Sequence, residues 1–346
     1  ANLEAMRINT RFQTFSQAIM MTAGAVTLTV GAVLSANGDF TVGSLIACMA
    51  LVWRVLSPLQ TLFVTFTRLE EVKSAINRIN QLMSQPSETQ IRSSGETIAR
   101  EREFEGKISF QKVMLRYAAN NEPALAGISF NAQPGELVAI VGSNGSGKST
   151  IMKLIANLYK PQSGTVKIDD IDTRQLNLLD LRNSIGYLPQ KSDLFAGTIE
   201  ENLKVANPVA TRAELEAVLE EAGVLDDVQN LPHGINTLLT EQTTKQVSTG
   251  FRKGLTLART FLCKSNIMLF DEPSVGLDVE SDEMLKRKME SYRGKVTTLY
   301  VTHRPDYVKL ADRVIALKNG QITFNGTPAE LAKQGKKVSM AKGAER

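Results

Sequence analysis

Two short stretches of this chain carry residue types at spacings that do defined chemistry. The first is GSNGSGKST at 142 to 150, which follows the apolar run LVAIV and precedes the periodic run IMKLIANLY. It fits the P-loop pattern, in which a glycine-rich turn lets backbone N–H groups wrap a β-phosphate at the start of a helix. Gly142, Ser143, Asn144, Gly145, Ser146, Gly147 and Thr150 form that wrap, Lys148 is placed to reach β/γ oxygens, and Ser149 offers a hydroxyl to Mg²⁺. The second stretch, IMLFDE, puts Asp271 and Glu272 at the C-terminal end of a buried strand, where open α/β sheets bind ligands. Asp271 suits Mg²⁺ held through water, and Glu272 is placed to orient or deprotonate an attacking water. An acidic pair after a strand is by itself a weak signal; joined to a P-loop it becomes a strong one.

A third stretch is less regular. VSTGF at 247 to 251 opens a helical run with a hydroxyl and a glycine, as a phosphate cradle would. Thr249 and Phe251 are bulky for a place where an anion must come close.

These residues need a scaffold, and the sequence supplies one from about Glu105 onward. Short apolar runs, LVAIVG at 137, IMLFDE at 267, TTLYVTH at 297 and RVIALKNG at 313, alternate with helical stretches. Runs of that length bounded by loops are expected to be buried strands of an α/β sheet covered on both faces. Upstream, SQPSETQIRSSGETIARERE is polar, contains Pro86 and Gly95 and has no apolar period, the texture of a linker.

The N-terminal part is different again. No charged residue lies between Phe15 and Ala36, and between Val42 and Phe66 there is only Arg54. Each run is long enough to cross a hydrocarbon core of about 30 Å, so two transmembrane helices are expected, over about 12–36 and 42–80. NGDFT between them has no Lys or Arg, whereas Arg7, Arg11, Arg68, Lys73 and Arg78 flank the outer ends, which puts those ends in the cytoplasm. Arg54 is expected to face a bundle interior or water path, or to pair across helices. The expected organisation is 1–82 membrane part, 83–104 linker, 105–330 nucleotide-binding part and 331–346 basic tail, a solvated end with anionic lipid as a further contact. The chain begins at Ala1 rather than Met, and a longer parent protein is expected.

A net charge of +4 without a basic stripe or interleaved aromatics argues against nucleic-acid binding. Cys48 and Cys263 form no metal or CxxC spacing, and His233, in the turn LPHGINT, is given no role.

Taken together, these motifs resemble the nucleotide-binding domain of ABC transporters over about residues 105 to 330. Tyr117, in LRYAANNEPAL, sits where that family stacks an aromatic on adenine. IGYLPQKSDLFAGTIEENL resembles the Q-loop region, with Gln190 the residue that senses Mg²⁺ and the membrane domain. VSTGF aligns with the signature usually written LSGGQ, SVGLD at 274 to 278 with the D-loop, and VTHRPD with the switch carrying His303. Asp278 also suits a plain helix cap.

The resemblance implies an α-helical transmembrane segment followed by an α/β P-loop NTPase domain with a helical subdomain. It implies ATP and Mg²⁺ as cofactors, with Glu272, His303 and Gln190 catalytic and with Ser149, Gln190 and Asp271 around the metal. In the family two such domains close head to tail, so Ser248 and Gly250 would touch ATP held by a second half-transporter. If positive φ is required at 249, a β-branched residue there costs about 1 to 3 kcal/mol. A heterodimer with a partner of regular signature is the expected assembly, and a homodimer that tolerates the variant is the alternative. The membrane part, GDFTVGSLIACMALVWRVLSPLQTLFVTFTRLEEVKSAINRINQLM, is similar to the last helix of exporter-type proteins, closest to the type I protein-secretion group. That group implies a bacterial inner-membrane protein with its nucleotide domain in the cytoplasm, an exported protein or peptide, and a periplasmic adaptor and outer-membrane channel as further partners. An exporter of lipid or small molecules, and a soluble non-transport ATPase, are the other readings.

Overall fold

A computed structural model of the chain describes residues 2–37, 41–84, 104–117, 122–240 and 247–333. Most of the expected linker and basic tail lies outside the described residues. Two compact units are present, Ala1–Ser94 and Gly95–Arg346.

The first unit is a pair of helices, α1 (Asn2–Ala36) and α2 (Val42–Met83). Both extend beyond the apolar runs, because their polar outer ends are rich in good helix formers such as Glu, Ala, Arg and Lys. Thr41 starts α2 with a reciprocal cap: its hydroxyl accepts from Ser44 N at 3.2 Å while Ser44 Oγ accepts from Thr41 N at 2.9 Å. Threonines are tolerated in α1 because Thr22, Thr27 and Thr29 donate to carbonyls one turn back, at 2.7 to 2.8 Å. Among the described residues, one span, Gln17–Ala36, is long and apolar enough to cross a membrane. The apolar stretch of α2, Val42–Pro58, is shorter than the run expected from its charges. Beyond Pro58, Gln60, Thr61, Thr65 and Thr67 dilute the hydropathy without adding charge.

The second unit contains two layers of sheet and a helical subdomain. Strands β1 (Ile108–Leu115), β2 (Leu125–Ala132), β4 (Ser163–Ile168) and β5 (Ile171–Asp172) form an antiparallel sheet in the order β2-β1-β4-β5. Around β3 (Leu137–Gly142) a six-stranded sheet runs β12-β11-β3-β10-β9-β6. Its members are β6 (Ile185–Leu188), β9 (Ile267–Asp271), β10 (Thr297–Val301), β11 (Arg313–Lys318) and β12 (Gln321–Gly326). All of its pairings are parallel except the β11–β12 hairpin. Strands β7 (Gly197–Thr198) and β8 (Leu238–Leu239) make a small ladder beside the helices.

Among the described residues the α-helices of this unit are α3 (Lys148–Ile155), α4 (Leu178–Asn183), α5 (Ile199–Lys204), α6 (Arg212–Glu221), α7 (Leu225–Gln229), α8 (Thr249–Leu262), α9 (Val279–Tyr292) and α10 (Pro305–Leu310). The central strands read as continuous apolar runs because alternate side chains enter two cores. Leu137, Ala139, Met268, Phe270 and Tyr300 pack with the helical subdomain. Val138, Ile140, Ile267, Leu269, Leu299 and Val301 pack with α3 and the antiparallel sheet. Each Leu, Ile, Val, Met or Phe among them contributes about 1.5 to 3 kcal/mol by leaving water. The sheet that presents the site is thus fixed from both faces.

Candidate functional site

The glycine-rich loop joins β3 to α3. Gly147 caps α3 at φ 100°, and a Cβ there would stand 2.4 Å from the Ala124 carbonyl oxygen. Only glycine permits both the turn and that approach. Lys148 is buried, and its Nζ donates back to the carbonyls of Gly142 at 3.0 Å and Ser143 at 2.9 Å. Burial lowers the pKa of this ammonium, against the pull of Glu272 and Asp271. Ser143, Asn144 and Gly145 are exposed at the loop tip, while Ser146 is buried with its hydroxyl unpartnered among the described residues.

An open cleft of about 670 Å³ lies beside this loop, lined among others by Tyr117, Gly145, Lys148, Ser149, Thr150 and Lys153. Tyr117 follows β1 and leaves nearly half its surface exposed, at 46%. Its hydroxyl lies 3.1 Å from Thr150 Oγ1, and Tyr159 meets its ring edge-on with centroids 5.0 Å apart. That placement at the mouth of the cleft suits stacking on a planar ligand.

The acidic pair ends β9. Asp271 is 2% exposed with the Ser149 side chain near it, and its Oδ1 has no partner among the described residues. Burial raises its pKa, Ser149 opposes the rise, and Glu272 adds to it. Glu272 sits at φ 51°, an unusual conformation for a side-chain-bearing residue, and its N–H donates to Val301 O at 3.2 Å. That bond ties the end of β9 to the end of β10, the strand that leads to His303. Gln190 Nε2 donates to Glu272 Oε2 at 3.2 Å, and His303 Nε2 lies 3.4 Å from Glu272 Oε1. Two residues chosen from separate sequence motifs therefore converge on the carboxylate of a third.

The residues fit ATP with Mg²⁺. An orphaned Asp271 oxygen beside the Ser149 hydroxyl is a donor set for a hard cation that keeps water and phosphate ligands. Among the described residues no group of three or more His, Cys, Asp or Glu could hold a metal ion.

The VSTGF stretch differs from expectation. Ser248 caps α8 by accepting from Phe251 N at 3.1 Å, and Thr249 is the first residue of that helix. Thr249 is not among the residues with positive φ, so the backbone strain expected for a β-branched residue there is absent. The turn is an ordinary helix start, and its irregularity lies in the side chains. Thr249 is exposed, while Phe251 is half-buried against the core of the helical subdomain. Gly250 has no special φ, but a Cβ there would stand 2.8 Å from the carbonyl oxygen of Gly276 in SVGLD. Asp278 caps α9, its Oδ1 accepting from Ser281 N at 2.8 Å.

Lys253 escaped the sequence reading. It is 3% exposed on α8, its Nζ has no partner among the described residues, and burial pushes it down to about 8 against the attraction of Asp271 and Glu272. Its signal was its place on the apolar stripe of α8, where Leu257, Thr260 and Phe261 follow at helical spacing. Asp282 and Arg304 were also missed, and they belong to a network around the His303 loop.

Residues 125–275 match the family model "ABC transporter". The chain is 33% identical over 325 residues to an ATP-dependent lipid A-core flippase of Burkholderia pseudomallei (strain 1710b), covering 93% of this chain and 53% of that protein. It is 32% identical over 320 residues to the leukotoxin export ATP-binding protein LtxB of Aggregatibacter actinomycetemcomitans, covering 92% and 44%. A solved structure of a bacterial Atm1-family ABC exporter with ATP bound superposes with a TM-score of 0.70 at 25% identity, covering 96% of this chain and 57% of that one. The chain spans about half the length of the curated relatives it matches. The glycine-rich loop, the acidic strand end and His303 thus stand on a fold shared with the Atm1-family exporter, and the chain carries an ABC transporter domain over residues 125–275.

Proposed function

We propose that the chain is the ATP-hydrolysing part of a membrane exporter, in which closure of two nucleotide domains on ATP drives the membrane helices. The observation that carries this reading is the Glu272 carboxylate, held between Gln190 and His303 beside the P-loop. The loop N–H groups and Lys148 hold the phosphates, Tyr117 stacks on adenine, and Ser149, Asp271 and Gln190 hold Mg²⁺. The ion supplies charge neutralisation on the phosphate oxygens. Glu272 orients the attacking water and takes its proton as the water oxygen bonds to the γ-phosphorus and the bond to ADP breaks. His303 holds the γ-phosphate and the Glu272 carboxylate in register.

ATP turnover by the full chain in detergent or lipid nanodiscs, with binding of a fluorescent ATP analogue, tests this. Glu272→Gln should keep analogue binding and lower turnover by a hundredfold or more, about 2.7 kcal/mol in the barrier. Lys148→Ala should lose both. Turnover unchanged in Glu272→Gln removes that residue from its role.

This chain is similar both to a relative named for lipid A-core and to one named for leukotoxin export, so each of the protein-secretion and lipid readings has a relative in its support. The span Gln17–Ala36 supports a membrane location, the bacterial inner membrane with the nucleotide unit in the cytoplasm. The partner is a second half-transporter whose ATP meets Ser248 and Gly250. A periplasmic adaptor and an outer-membrane channel complete the secretion reading.

We favour a heterodimer on side-chain chemistry: Phe251 has no hydrogen-bonding group for a partner's nucleotide and packs into its own core. Thr249→Gly with Phe251→Gln restores the usual signature. Turnover of the chain alone should rise about tenfold in that variant; equal turnover favours a homodimer that tolerates VSTGF.

A further inference from the structure

The loop that carries His303 is fastened to the helix that follows SVGLD through one buried carboxylate. Asp282, in the first turn of α9, is 6% exposed. Arg304, the residue after His303, grips it with two hydrogen bonds, Nη1 to Oδ1 at 3.0 Å and Nη2 to Oδ2 at 2.9 Å. Tyr307 of α10 donates to Oδ1 at 2.8 Å, and Lys286 of α9 reaches Oδ2 at 3.1 Å. Arg304 and Lys286 both extend to Asp306, and the Tyr300 hydroxyl of β10 donates to the Tyr307 carbonyl at 2.9 Å. Both carboxylate oxygens of buried Asp282 are therefore taken up by charged or buried donors, with the Arg304 fork reaching in from an exposed position, and the bidentate geometry fixes the direction of the pair.

The placement of this clamp gives it a use. Four residues before Asp282 stands Asp278, the cap of α9 and the last residue of SVGLD, whose Gly276 lies against Gly250 of the signature turn. One residue before Arg304 stands His303, 3.4 Å from Glu272. A bidentate guanidinium–carboxylate pair is directional, so a shift or rotation of the start of α9 carries the His303 loop with it.

We propose that Arg304 and Asp282 are positioning residues that set His303 against Glu272, linking the position of SVGLD to the hydrolytic centre of the same chain. The proposal rests on the ATPase reading above. It differs from a merely stabilising ion pair in requiring that the pair act through His303.

A double-mutant cycle in the full chain, reconstituted with lipid, separates the two. Arg304→Gln alone should lower kcat about tenfold with KM for ATP and affinity for a fluorescent ATP analogue within about twofold. Arg304→Lys, which keeps the charge and loses the fork, should lie between it and the parent, and serves if the Gln variant fails to fold. In a His303→Ala background, either change should produce no further loss in single-turnover measurements. Losses that multiply in the double variant, or full kcat in a folded Arg304→Gln, overturn the proposal. A parent chain that binds no analogue and shows no turnover would overturn the ATPase reading itself. A parent that hydrolyses ATP while the Arg304 variants match it overturns the clamp alone.

Discussion

Gly250 and Gly276 approach so closely that a Cβ on the former would stand 2.8 Å from the carbonyl oxygen of the latter. Thr249 completes the contact from the other side, with its Oγ1 3.7 Å from where a Cβ on Gly276 would be. The glycine kept in VSTGF is thus required by this chain's own SVGLD turn, whatever it does for a partner. Gly250→Ala should cost about 1 to 3 kcal/mol through forced displacement of that turn, read as a lower Tm. Thr249→Gly should give no stabilisation, because Thr249 is helical. It should lower stability by about 0.5 kcal/mol through helix propensity, and a rise in Tm would show that position 249 is strained after all.

Glu272 combines a proposed chemical role with a left-handed backbone. Glu272→Gly should relieve about 1 kcal/mol of backbone strain and raise the unfolding midpoint in denaturant, while abolishing turnover. Glu272→Gln should abolish turnover without that gain. Equal midpoints for the two variants would mean that the conformation carries no strain.

Burial of Lys253 makes stability depend on alkaline pH. Its folded pKa is lowered to about 8 from an ordinary 10.5, so between those values the unfolded chain binds more protons and stability rises with pH. Below about pH 8 the burial penalty is fully present. Lys253→Met should therefore be more stable than the parent at pH 7 in nucleotide-free, Mg²⁺-free buffer, by on the order of 3 kcal/mol. The advantage should shrink toward pH 10.5. A difference constant with pH would mean that Lys253 finds a partner.

Tyr117 offers a ring at the mouth of the cleft and a hydroxyl to Thr150. Tyr117→Ala should weaken binding of an ATP analogue about three- to tenfold by loss of stacking, whereas Tyr117→Phe should stay within about twofold. Equal weakening in both would place the contribution in the hydroxyl.

Much of the second unit was legible before its structure. LVAIVG, IMLFDE, TTLYVTH and RVIALKNG become β3, β9, β10 and β11 because a strand buried on both faces reads as a near-continuous apolar run. The antiparallel sheet of β1, β2, β4 and β5 was not foreseen: its polar outer positions, as in ISFQKVML, give no continuous run. Gln190, Glu272 and His303 could be chosen individually, but their convergence depends on β6, β9 and β10 lying side by side, which is long-range pairing. The Asp282–Arg304 clamp was invisible for the same reason, its partners being distant in the chain. Whether Thr249 takes positive φ was not legible, because helix starts and left-handed turns both accept a serine and a glycine, and side-chain types alone do not separate them.

The bond from Glu272 N–H to Val301 O makes the sheet itself a ruler. Neighbouring strands keep about 4.8 Å between them, and the acid and the histidine leave the ends of two such neighbours. The sheet therefore fixes where the backbone leaves β9 and β10, while His303, two residues beyond β10, is set by the loop that Arg304 and Asp282 hold. What loops and helix ends can still change is the approach of the His303 side chain to Glu272, from a backbone spacing that stays the same.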